Sequence, residues 1–137
     1  IEPLVKHSAM RRADRLWEHT CFECFVRLPG ETGYLEFNFS PSMEWAAYSF
    51  DRYREGMRNA RVSVPGLIST AFPHRFELSA SVQLPEWVDR PWLLNPAAII
   101  EQKDGTKSYW ATAHPPGSPD FHHPDCFTLE LAPPGRP

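Results

Sequence analysis

Apolar and polar residues alternate along most of the chain from Trp17 onward, the period of two that an extended strand imposes. In Tyr34–Ser40, Leu35, Phe37 and Phe39 share one face; Tyr34, Glu36, Asn38 and Ser40 share the other. His74–Leu84 repeats the pattern over a longer run, with Phe76, Leu78, Ala80, Val82 and Leu84 on one side. Both segments are expected to be half-buried antiparallel strands. Weaker runs predict further strands at Thr20–Leu28, Trp45–Asp51, Arg61–Val64, Ala97–Lys103, Ser108–His114 and Phe127–Leu131. Asp104-Gly105 marks a tight hairpin turn. Pro29-Gly30, Pro41, Pro65-Gly66, Pro85, Pro91, Pro96 and Pro115-Pro116-Gly117 mark connections, and Tyr53–Asn59 a short turn of helix. About eight strands at this spacing predict an all-β, antiparallel β-sandwich. It forms a single domain over residues 17–131, after an irregular basic lead-in (1–16) and before a tail (132–137).

Composition narrows the picture. Nine Phe, five Trp and four Tyr must supply much of the core, and 15 Pro against 7 Gly disfavour long helices. The formal net charge of -3 over 137 residues lacks the basic footprint of a nucleic-acid binder. Lys6, Arg11, Arg12 and Arg15 in the lead-in read as a solvated arm. No apolar run reaches the length of a membrane-spanning helix, so no membrane partner is expected. Three cysteines do not make a disulfide framework. Cys21 and Cys24 form C-x-x-C, but on a strand they point to opposite faces and cannot easily chelate one ion. Reduced, partly buried thiols fit a cytoplasmic protein.

Candidate chemistry is sparse. There is no Gly-x-Ser-x-Gly motif and no convincing Ser, His, Asp set, so the chain is not expected to be an enzyme. Glu23 and Glu36 offer a carboxylate pair, but a solvated strand face carries such residues routinely. Asp120-Phe-His-His-Pro-Asp125 holds the metal candidates Asp120, His122 and His123, with His114 nearby. Adjacent histidines do not converge on one ion, and a rigid Pro-bounded loop explains the same residues. A haem would need an axial pair from Met10, Met43 or Met57 with His74 or His114, and no attachment motif supports one. The tryptophans fit either of two roles: Trp17, Trp45, Trp87, Trp92 and Trp110 suit stacking on sugar rings, or filling a core short of aliphatics.

Three segments carry a family resemblance: Trp17–Val26, Tyr34–Ser42, and Ser108–Ala111 leading to Pro119–Phe127. Together they resemble the DOMON-like domains, in the superfamily that includes the family nine carbohydrate-binding modules. The likeness is greatest to a bacterial, uncharacterised branch and spans residues 11 to 131. It implies a β-sandwich that binds a ligand without changing it, a sugar in some relatives and haem in others, with calcium stabilising some sugar binders. It also implies one or two strands ahead of Trp17, without which an open sheet edge would invite self-association. Carried over by position, it implies ligand contacts from Trp17 and Glu23, a hydrogen bond from Asn38, and a second stacking face from Trp110, with His114 as its substitute. The alternatives are a structural or protein-interaction sandwich without a ligand, and a haem- or metal-binding domain.

Overall fold

The structure, a computed structural model, describes residues 10–84 and 90–133. It is all-β and sandwich-like. Ten strands lie among the described residues: β1 (Arg11–Arg12), β2 (Cys21–Arg27), β3 (Tyr34–Phe39), β4 (Glu44–Phe50), β5 (Arg58–Asn59), β6 (Ser63–Phe72), β7 (Arg75–Gln83), β8 (Trp92–Glu101), β9 (Lys107–Ala111) and β10 (Leu129–Leu131). Eight form one sheet in the order β1-β4-β3-β2-β8-β10, with β5 paired to β4 and β9 to β8. Among the described residues the second layer is the β6–β7 ribbon, which packs across one face of this sheet.

Alternation puts Phe22, Cys24 and Val26 of β2 on the ribbon side with Leu35, Phe37 and Phe39 of β3. Val64 and Leu67 of β6 close over them, with Leu78 and Val82 of β7. Phe22 and Phe76 stack at 5.5 Å between ring centroids. Phe37 has no exposed surface, and its burial contributes roughly 1.5–3 kcal/mol. The ribbon's outer face is in solvent, which is why β7 alternates cleanly yet is only partly buried.

The opposite sheet face is also covered. Phe25, Tyr34, Tyr48, Phe50 and Ile99 pack there beneath Phe121 and Phe127 from the segment between β9 and β10. β3 is therefore covered on both faces, and the expectation of a solvated polar side fails. Glu23, Glu36 and Asn38 are all buried.

Several local expectations are corrected. The lead-in is not wholly irregular: Arg11 and Arg12 pair in parallel with Glu44 and Trp45, placing β1 at the sheet edge. Tyr53–Asn59 forms no helical turn, because Arg54 (φ 53°) and Gly56 (φ 75°) are left-handed and break the helical run. Gly56 is required there, since a Cβ would lie 2.1 Å from Asp51 Oδ2. Pro65 sits inside β6 at the register shift between Ser63 and Gly66, where a missing N–H is tolerated. Pro96 likewise lies within β8, in the gap between the stretch paired with β10 (Trp92–Leu94) and that paired with β9 (Ala97–Glu101). The Asp104-Gly105 turn forms as expected, with Gly105 at φ 86° and Asp104 Oδ1 accepting from the Thr106 amide at 2.8 Å.

Candidate functional site

The Pro96 gap positions a site. Asn95, beside it and fully buried, donates from Nδ2 to the Phe121 carbonyl at 2.8 Å. This pins the 119–127 segment over the sheet face opposite the ribbon. The segment is braced by Asp120, which accepts from Tyr53 Oη, from Arg54 Nη2 at 2.8 Å and from the His122 amide at 3.2 Å. Burial pushes the Asp120 carboxyl up, but these bonds and the Arg54 charge outweigh it and hold it low.

Between the segment and the sheet lies a cavity of about 350 Å³, within the range of small-molecule sites. Its lining joins Trp17, Phe50, Tyr109 and Phe121 with Glu23, Glu36, Arg54 and His122. Trp17 reaches it from a 3-10 turn, Leu16–Glu18, entered through Arg15 in the left-handed region. The indole meets the Tyr48 ring edge-on at 6.0 Å, and Tyr48 donates to Asp14 Oδ1 at 2.6 Å.

The floor is polar and ordered. On β2 and β3, Glu23 pairs with Asn38 and Phe25 with Glu36, so the two glutamates are diagonal neighbours on one face. Glu36 accepts from Asn38 Nδ2 at 3.0 Å, and its Oε1 lies 3.2 Å from His122 Nε2. Tyr34 Oη accepts from the Arg54 amide at 3.1 Å, which directs its own proton to His122 Nδ1 at 2.7 Å. His122 is thus held between Tyr34 Oη at Nδ1 and Glu36 Oε1 at Nε2. Glu23 is different. Burial, then the nearby Glu36 charge, push its carboxyl up to about 8, and its Oε2 has no hydrogen-bond partner among the described residues.

The structure brings together only part of the expected site. Trp17 and Glu23 line the cavity. Asn38 does not reach it, lying fully buried behind Glu36, which it holds. Trp110 lies outside the lining, 63% exposed, its indole donating to Ser108 Oγ at 2.9 Å. One residue decides this: Tyr109 pairs with Ile99 on the cavity side and Trp110 with Ala98 on the other. His114 is outside too, against Phe121 at 6.1 Å. Trp45 and Trp92 pack toward the ribbon, and Trp87 lies outside the described residues.

The metal candidates separate. His122 turns to Glu36 and Tyr34, whereas His123 Nδ1 accepts from the Asp125 amide at 3.1 Å, capping the 3-10 turn Pro124–Cys126. Among the described residues no group of three or more His, Cys, Asp and Glu is arranged to hold a metal ion. Of the residues considered for haem, Met57 lines the cavity, whereas His74 and His114 do not. Cys21 and Cys24 point to opposite faces, as their spacing requires. Burial pushes the Cys24 thiol up to about 11 and raises Cys21 and Cys126 as well.

Sequence reasoning missed Tyr109, Phe121 and Arg54 and took Glu36 for a solvated residue. The one available signal was that Glu36 alternates in phase with Asn38. Comparison of the chain with protein-family models, with curated proteins and with solved structures found no match to any of them.

Proposed function

We propose that the protein is a non-catalytic ligand-binding domain that takes a carbohydrate or similarly polar small molecule into this cavity. One observation carries the reading: Trp17 and Glu23, six positions apart in sequence, line the same 350 Å³ cavity with Tyr109 and Phe121. Flat aromatic faces suit the apolar C–H face of a sugar ring, and buried carboxyl groups suit its hydroxyls. Tyr109 takes the stacking role expected of Trp110. Weak affinity is expected, because ordering and lost hydration offset much of the contact energy.

The test is a tryptophan-fluorescence titration with mono- and disaccharides. A saturable shift that vanishes in a folded Trp17→Ala variant supports the reading. An unchanged response in that variant removes the assignment, and no response from the wild type leaves a β-sandwich without a ligand. A second reading, acid–base chemistry on a bound glycoside, draws on the two buried carboxyl groups in unlike surroundings. Turnover of a glycoside panel that is lost in Glu23→Gln would select it.

A further inference from the structure

The cavity floor is unbalanced. Two carboxyl groups, Glu23 and Glu36, lie diagonal to each other beneath it, both more than nine-tenths buried. The groups that offset Glu36 are already spent on it: Asn38 at 3.0 Å and His122 at 3.2 Å. Arg54, the one Lys or Arg in the wall among the described residues, is held 2.8 Å from Asp120 and lies over the Tyr53 ring at 5.7 Å. Glu23 lines the aromatic-walled cavity, and its buried Oε2 has no hydrogen-bond donor among the described residues. A neutral sugar offers Glu23 a hydrogen bond but brings no positive charge to two neighbouring acids. An anion would meet Glu36. An ammonium satisfies both, and Trp17, Tyr109 and Phe121 offer it ring faces.

We propose that the cavity selects ligands bearing a protonated amine, seated against Glu23, with the rest of the ligand against Trp17, Tyr109 and Phe121. This rests on reading the cavity as a ligand site and names the class of ligand it prefers. The charged and titratable groups facing Glu23 are Cys21 on its own strand, Glu36 on β3, Arg54 from the β4–β5 turn, Tyr109 on β9 and His122 from the covering segment. With its carboxyl at about 8 in the empty cavity, Glu23 holds a proton at neutral pH, and an arriving ammonium expels it to solvent. Binding at pH 7 then releases roughly one proton per ligand.

The experiment compares matched probes by calorimetry: glucosamine against glucose, and phenethylammonium against phenethyl alcohol. Each is titrated into wild type, Glu23→Gln and Trp17→Ala. The expected result is at least tenfold tighter binding of each amine than of its neutral partner by the wild type. Glu23→Gln, which keeps the shape of the protonated acid, should erase that preference and bring each amine to the affinity of its neutral partner. Phenethylammonium should bind more tightly as pH rises from 6 to 8, with proton release detected as a heat difference between two buffers. Glucose binding as tightly as glucosamine, with Trp17→Ala abolishing both, overturns the cation inference and leaves the sugar site standing. Amine binding that survives Trp17→Ala, or no binding of any probe, overturns both. The wild-type comparison of matched probes decides the matter even if Glu23→Gln does not fold.

Discussion

Glu23→Gln should make the protein more stable than wild type as the solution becomes more alkaline. In the unfolded chain Glu23 titrates near its ordinary value of 4.5; in the fold its carboxyl is pushed up to about 8. The folded state thus prefers the protonated acid. Below pH 4.5 the group is protonated in both states and has no effect on the pH dependence. As pH rises from 4.5 to 8, the unfolded chain sheds the proton while the folded one keeps it, and stability is lost at about 1.4 kcal/mol per pH unit. The accumulated cost is on the order of 3 kcal/mol at pH 7 and about 5 kcal/mol above pH 8. That is a large share of the 5–15 kcal/mol typical of a domain. Gln cannot ionise and escapes the whole of it, whatever constant offset its amide introduces. Urea unfolding of both proteins at half-unit steps from pH 4.5 to 9 reads the difference directly. It should grow steadily to pH 8 and then level off. A difference that stays flat across this range would mean that Glu23 titrates alike in both states, and the buried, unpartnered carboxyl would be refuted.

Three more expectations concern the frame around the site. His122→Ala strands Glu36 Oε1 and Tyr34 Oη and removes a ring packed 4.9 Å from Phe25, so urea unfolding should show a loss of at least about 2 kcal/mol. Phe37→Ala empties the middle of the ribbon-side core and should cost about 3–5 kcal/mol by the same measurement; a loss under 1 kcal/mol would show that the ribbon does not seal that face. The raised thiols of Cys21, Cys24 and Cys126 should react slowly with a disulfide reagent at pH 8 in the folded protein and fully in urea, with rapid labelling of the folded form counting against their burial.

The strands themselves were legible in the chain. Period-two alternation is a property of neighbouring residues, and it located β3 and β7 nearly to the residue. The opposite placement of Cys21 and Cys24 followed from the same rule, as did the Asp104-Gly105 turn, where local backbone geometry suffices. What failed locally were the inferences from proline. Pro65 and Pro96 read as breaks, yet each sits inside a strand at a place where no ladder bond is needed. Whether an N–H is needed depends on the strand alongside, which the sequence of one strand does not contain.

The site divides in the same way. Sequence alone determined that the chain is all-β, that its core is aromatic, and that Trp17 and Glu23 are separated by six residues. Only the tertiary structure decided that the polar side of β3 is covered, because the 119–127 segment that covers it is anchored by Asn95 at a gap in β8. Burial then altered the chemistry of residues whose identity was plain from the start. Glu36 became a buried acid held by Asn38, Glu23 a proton-bearing acid, and His122 a bridge between Tyr34 and Glu36. The choice of Tyr109 over Trp110 was likewise made by strand register, since adjacent residues on a strand face opposite sides and only pairing with Ile99 selects which one enters the cavity. Alternation is written into adjacent residues, whereas desolvation and register are set by partners far away in the chain.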